Sequence, residues 1–363
     1  MIPTSAKGLG SALLAIGMAL SVSAAYGQSL ATFGETGYDA SNDVALDGSG
    51  NAVVIGTFTG TVDFDPGAGV TSRTSNGSRD VFVARYSAAG ALVSLITFGG
   101  TGPDDSNGVA LDGSGNAVVT GFFFGTVDFD PGAGVTSRTS NGSVDVYVAR
   151  YSAAGALVSV ATFGGTAPDA SNDVALDGSG NAVVTGSFFG TVDFDPGTGI
   201  TSRTSNGGLD AFVVRYSAAG ALVSVATFGG PGSDVSSGVA LDGSGNAVVT
   251  GSFFGTVDFD PGAGVTSRTS GEADDAYVAR YSAAGALVSV ATFSGPGYDA
   301  GNDVAVDGSG NAIVTGRFTS TVDFDPGPVF TSRTSSGAED AFVARYSAAG
   351  ALVSVITFGG AGS

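Results

Sequence analysis

The chain has 363 residues, 61 of them Gly and 24 Phe, with 13 Lys plus Arg against 33 Asp plus Glu for a net charge of -20, and no Cys, His or Trp. Without His or Cys, the usual zinc ligand sets, thiolate catalysis and triads built on a His base are excluded. The acidity and the scattered arginines oppose phosphate binding, so nucleic acid is not an expected partner.

Residues 1–27 read as a removable signal peptide. Lys7, the only lysine, supplies the positive charge, Leu9 to Ala24 form a short apolar run, and Ala25-Tyr26-Gly27 places small residues at the cleavage site. The run is interrupted by Gly10, Ser11 and Gly17 and falls short of the roughly 20 apolar residues of a membrane span. The expectation is a chain that starts at Gln28, is secreted or displayed at the cell surface, and has no integral membrane span.

The rest, 28–363, reads as one repeat domain. Asp-Gly-Ser-Gly-Asn begins at Asp47, Asp112, Asp177, Asp242 and Asp307, a period of 65 residues (112 − 47 = 65) without gaps. The copies run 34–98, 99–163, 164–228, 229–293 and 294–358. Leu30-Ala31-Thr32-Phe33-Gly34 is a further copy of the segment that ends each unit, and Gly359 to Ser363 matches the start of another.

In the second copy, Asn107 to Leu111 reads as a strand, Asp112 to Asn116 as a Gly-rich turn, and Ala117 to Phe124 as the returning strand. A connection from Gly125 to Ser143 carries Asp128-Phe129-Asp130-Pro131-Gly132 and ends at Asn141-Gly142, a strong hairpin-turn signal. Asp145 to Tyr151 and Ala156 to Phe163 complete four strands around the turn Ala153-Ala154-Gly155. No segment has a helical period. The strands are close to continuously apolar, which predicts cover on both faces. A four-stranded unit of this length cannot enclose a core and is shorter than a sandwich of roughly 100 residues, so it must stack on its neighbours. Radial stacking of such sheets is an all-β propeller, here of five blades closing on themselves. An open arc, or part of a larger propeller, is the alternative, and solenoid coils are usually shorter than this unit.

Each copy reads Gly-Gly, an Asp, then in the second copy Gly108-Val109-Ala110-Leu111-Asp112-Gly113-Ser114-Gly115-Asn116-Ala117-Val118-Val119-Thr120-Gly121, Asp145-Val146-Tyr147-Val148-Ala149-Arg150 and, at the end, a Leu-Val-Ser-Val-Ala-Thr-Phe segment. This order resembles the bacterial SBBP β-propeller repeat over residues 30–363. The resemblance implies a propeller, secreted or surface-borne, with no defined catalysis. The chain departs from that pattern in its longer second-to-third strand connection and in having five copies.

Chemistry is confined to a few recurring positions, represented by Asp104, Asp112, Asp128, Asp130 and Asp145, with two recurring arginines at Arg138 and Arg150. Asp63-Phe64-Asp65 and its equivalents put two carboxylates on one face of an extended strand before Pro-Gly. Calcium, which takes 6 to 8 oxygen ligands, is therefore weighed at Asp63, Asp65, Asp128, Asp130, Asp193, Asp195, Asp258, Asp260, Asp323 and Asp325, against turn formation through backbone amides. Asp47 to Asn51 lacks the sixth-position Gly and twelfth-position Glu of an EF-hand loop and reads as a hairpin turn. Asp39 and its equivalents are assigned to a turn. Asn76-Gly77-Ser78 and Asn141-Gly142-Ser143 match a glycosylation sequon but are explained by turn chemistry. Phe122 to Phe124, Phe188, Phe189, Phe253 and Phe254 are expected to pack between blades, with sugar stacking as the exposed alternative.

Together these features point to a non-catalytic, monomeric, secreted or surface scaffold that presents one surface five times to a protein or glycan ligand for adhesion. A calcium-stiffened structural protein is the alternative. A carbohydrate-active enzyme is opposed by the equivalence of the repeated carboxylates, because an acid and a base need different environments.

Overall fold

The computed structural model describes residue 34 and residues 37–361, so residues 1–27, expected to be a signal peptide, and the strand-like segment expected before Gly34 lie outside the described residues. Every regular element among the described residues is a strand. Among the described residues no helix is long and apolar enough to cross a membrane.

Each repeat forms one four-stranded antiparallel sheet, its strands paired in chain order. In the first repeat these are Ala40–Leu46, Ala52–Phe58, Asp80–Tyr86 and Leu92–Phe98. The first hairpin is closed by Asp47 to Asn51, where Gly50 takes a φ of +79°, a conformation that glycine adopts without the Cβ penalty of other residues. The second and third strands pair in continuous register from Ala52 opposite Tyr86 to Phe58 opposite Asp80. Between them a two-stranded hairpin, Thr61–Asp63 with Ser72–Thr74, protrudes from the sheet. Repeats three to five repeat this plan. In the second repeat the small hairpin is continuous with the main sheet, giving strands Ala117–Asp128 and Ser137–Tyr151. The first strand there starts two residues before its sequence-based boundary, at Asp105, and the fourth one residue later, at Leu157.

The described residues divide into two compact units, one reaching to residue 139 with 148–160, the other formed by 140–147 with 161–361. Within each, neighbouring sheets bury one another's faces. In the second unit Val239, Phe253, Phe259 and Tyr281 of the fourth repeat pack with Val183, Ala226 and Phe228 of the third. Both faces of the third strands Asp210–Tyr216 and Asp275–Tyr281 are buried throughout, as the continuous apolar runs predict. Burying the Phe and Tyr rings that line these junctions contributes on the order of 2 kcal/mol each.

Candidate functional site

The small hairpin is the most prominent feature that every repeat shares. Its strands are joined by a cross-strand pair of threonine hydroxyls, Thr61 with Thr74 at 2.7 Å, and its loop projects an exposed apolar side chain, Val70, Val135, Ile200, Val265 or Phe330. Phe64, Phe129, Phe194, Phe259 and Phe324 turn inward and are fully buried, which anchors the hairpin base. Phe64 packs edge-on to Phe58 with ring centroids 5.3 Å apart, and Tyr86 donates to the Phe64 carbonyl at 3.0 Å.

The ten aspartates weighed as calcium ligands flank these phenylalanines. Asp63 Oδ1 accepts the amides of Asp65 at 3.1 Å and Thr71 at 2.7 Å, and Asp65 Oδ1 accepts the Gly67 amide at 2.8 Å. The same bonds recur at Asp128 and Asp130, Asp193 and Asp195, Asp258 and Asp260, and Asp323 and Asp325. A Cβ on Gly69 would overlap Asp65 Oδ2, so the loop closes tightly over that carboxylate. Among the described residues no three acidic side chains gather as a metal-binding group.

The hairpin turn Asp47 to Asn51 also holds neighbouring repeats together. Asp47 Oδ1 accepts the amides of Ser49 and Asn51, and its Oδ2 takes the Asn51 side chain at 2.8 Å and Arg85 at 3.0 Å. Burial pushes this carboxyl up, but the Asn51 side chain, the two amides and the Arg85 charge together hold it below the usual range. Arg85 then reaches the Gly115 carbonyl of the next repeat at 2.6 Å. Arg215 joins Asp177 to Gly245 in the same way, and Arg280 joins Asp242 to Gly310. Arg73, Arg138, Arg203, Arg268 and Arg333 instead donate to the carbonyl of the preceding serine.

Asp104, Asp169, Asp234 and Asp299, equivalents of Asp39, lie in the loop entering each first strand as expected, and the structure adds that they are fully buried or nearly so. Asp104 Oδ2 accepts the Gly100 amide at 2.7 Å and its Oδ1 the Phe124 amide at 2.9 Å, tying the start of the repeat to the end of its second strand. Each has a second buried carboxylate from the preceding repeat as an electrostatic neighbour, in the pairs Asp80 with Asp104, Asp145 with Asp169, Asp210 with Asp234, and Asp275 with Asp299. Burial, the dominant cause, lifts Asp104 and Asp169 to about 7, Asp234 to about 6 and Asp299 to about 8, and the neighbouring carboxylate adds to the rise. Asp80, Asp145 and Asp275 each keep one buried carboxylate oxygen without a hydrogen-bond partner. Sequence spacing gives no sign of these pairs, because the two members stand 24 residues apart (104 − 80 = 24) and only stacking brings them together.

The phenylalanine clusters divide. Phe123, Phe188 and Phe253 are buried against Phe129, Phe194 and Phe259, as expected, whereas Phe124, Phe189 and Phe254 are exposed. Asn76 and Asn141 use their amides on Asp80 and Asp145, which matches a turn role.

No family model matches the chain. The chain is similar to an uncharacterized WD repeat-containing protein of Acanthamoeba polyphaga mimivirus, at 25% identity over 248 residues. The match covers 58% of this chain and spans 18% of the length of that relative. Repeated four-stranded antiparallel sheets and this likeness together give an all-β, propeller-like repeat architecture.

Proposed function

We propose that the five sheets are β-propeller blades of the SBBP-like kind and that the chain is a non-catalytic, secreted or surface-displayed scaffold for multivalent binding of a protein surface. The observation that carries this reading is the recurrence of one projecting hairpin, with an exposed Val, Ile or Phe at its tip, in every repeat. Weak contacts made several times gain avidity when their spacing permits simultaneous engagement. The likeness to a WD repeat-containing protein supports a scaffold role. Against catalysis stands the repeated geometry of the carboxylates, since Asp104 and Asp169 accept from equivalent amides in successive repeats. Export rests on Lys7 and the apolar run that follows it.

The test is a surface-binding screen of the full chain on protein and glycan arrays. Asp is then introduced at Val70, Val135, Ile200, Val265 and Phe330, one at a time and together. Stepwise loss of apparent affinity on a protein target is the expected result. One-to-one binding of a small solute, indifferent to the tips, refutes the reading, and binding confined to glycans replaces the protein partner. Calcium at Asp63 and Asp65 and their equivalents is a separable proposal, supported by two carboxylates at alternate positions of every hairpin.

A further inference from the structure

The five copies are unchanged over residues 47–52, 85–94 and their equivalents, which form the turns at one end of each sheet. They differ at the other end, where the loop entering the first strand, the end of the second strand and the start of the third meet, with Ala40 opposite Thr57 and Phe58 opposite Asp80. Through these differences each repeat keeps one exposed ring at the same place. Repeats one and five carry it on the entering loop, as Tyr38 and Tyr298, with Thr59 and Thr319 beside them. Repeats two, three and four carry it at the second position, as Phe124, Phe189 and Phe254, and have Pro103, Pro168 and Ser233 at the first. The two positions adjoin, the Tyr38 amide donating to Thr59 Oγ1 at 2.7 Å.

In the first repeat a cation from the chain itself lies on this ring. The Arg79 guanidinium carbon stands 5.8 Å from the Tyr38 ring centroid, and the same side chain donates to Asp105 Oδ2 at 2.9 Å. A cation between a ring face and a carboxylate is favoured twice, by the negative face of the ring and by a charge-assisted hydrogen bond. The fourth repeat keeps the ring and places a carboxylate where the first has Arg79. Asp274 occupies that position, its carbonyl accepting the Asp299 amide at 2.8 Å as the Arg79 carbonyl accepts the Asp104 amide at 2.9 Å. Phe254, 42% exposed, and the half-buried Asp274 both adjoin Asp234: the Phe254 amide donates to Asp234 Oδ1 at 3.0 Å, and Asp274 is an electrostatic neighbour of the same carboxylate. Arg317 acts on Asp274 but also pairs with Glu339 at 3.6 Å, so two carboxylates share one guanidinium whose side chain is 58% exposed. All of these groups belong to one compact unit. The third repeat has Leu209 at the position of Asp274, so Phe189 is a ring without that carboxylate.

We infer that Phe254 and Asp274 form a seat for an arginine or lysine side chain of a basic partner polypeptide, which lies over the ring with its charge on the carboxylate as Arg79 lies over Tyr38 and on Asp105. The net charge of -20 attracts such a partner and disfavours an acidic one. The seat rests on the reading of the chain as a protein-binding scaffold only in taking a polypeptide as its ligand. It uses the entering loop and the sheet end, and the apolar hairpin tips take no part in it.

The test is an NMR titration of the full chain, labelled in its backbone amides and phenylalanine rings, with acetyl-Gly-Arg-Gly-amide and with acetyl-Gly-Glu-Gly-amide at about 0.15 M salt, where long-range attraction is screened. The Phe254 ring and the Asp274 amide are expected to shift with the arginine peptide, at lower concentration than the Phe189 ring, and to ignore the glutamate peptide. Phe254→Leu, followed at the Asp274 amide, and Asp274→Leu, followed at the Phe254 ring, should each weaken binding about two- to fivefold. Leu209→Asp is expected to bring the Phe189 response up to that of Phe254, and Arg317→Ser to strengthen the response at Phe254. Asp274→Asn serves if Asp274→Leu disturbs the fold. Equal responses at Phe254 and Phe189 that neither Asp274→Leu nor Leu209→Asp changes overturn the inference, as does an equal response to the glutamate peptide. Binding that survives Phe254→Leu and is lost in Val265→Ser also overturns it, and leaves the tips as the protein-binding surface.

Discussion

Replacing Asp145 by Asn is expected to stabilise the protein near pH 8 and to leave it almost unchanged below about pH 4, the reverse of what loss of a surface charge does. Asp145 is 2% exposed; its Oδ2 accepts the Asn141 amide at 3.0 Å and its Oδ1 has no partner. Burial lifts its carboxyl from 3.8 to about 6, with the Asn141 amide opposing the rise. The folded state thus holds a proton that the unfolded state has released. This contribution is fully present below about pH 4 and is lost as pH rises through about 6, because above it the folded chain must keep a desolvated charge. A rise of that size corresponds to about 3 kcal/mol, and relaxation and water entry reduce the recoverable part to roughly 1–2 kcal/mol. Asn keeps the acceptor for the Asn141 amide and removes the charge, so its urea midpoint should exceed that of the unaltered chain near pH 8, with the two converging below about pH 4. An equal or lower midpoint near pH 8, or a difference that does not change with pH, would refute the reasoning.

The whole chain should lose stability as pH rises from about 5 to 8, since Asp104, Asp169, Asp234 and Asp299 all ionise at about 6 to 8 in the fold; a flat thermal midpoint over that range counts against buried ionisable pairs. Arg215→Met removes the bonds to Asp177 and Gly245 and should cost about 2 kcal/mol in urea unfolding, whereas Arg345→Met, at a half-exposed pair with Asp307, should cost under about 1 kcal/mol; equal losses would show that the link to the next repeat has no weight. Tyr216→Phe deletes a buried 2.7 Å bond to the Phe194 carbonyl and is expected to cost about 1–2 kcal/mol, measured the same way, with a neutral outcome contradicting a fixed hairpin base. For calcium, the thermal midpoint is compared in millimolar calcium and in excess chelator: a rise that disappears in Asp65→Asn assigns an ion to the hairpin, and an unchanged midpoint leaves these aspartates to the turn.

Much of the architecture is legible because it is local and repeated. The gapless period sets the number of units, the apolar runs at Ala117 and Asp145 mark strands covered on both faces, and Asp-Gly-Ser-Gly-Asn marks the first hairpin, whose glycine adopts the positive φ that the turn requires. The turn chemistry of Asp63 and Asp65 is legible for the same reason, their amide donors lying within eight residues (71 − 63 = 8). Contacts between repeats are not legible. Asp104 reads as a loop residue until stacking places it beside Asp80, and Arg85 has no readable partner until it bridges Asp47 and Gly115. The exposure of Phe358, closely similar in sequence context to the buried Phe293, depends on whether another sheet lies against it. The sequence by itself determined the four-stranded repeat unit, because strand, turn and period are written in neighbouring residues. Only the tertiary structure decided which carboxylates are buried together, because that property belongs to pairs of sheets and not to any one segment.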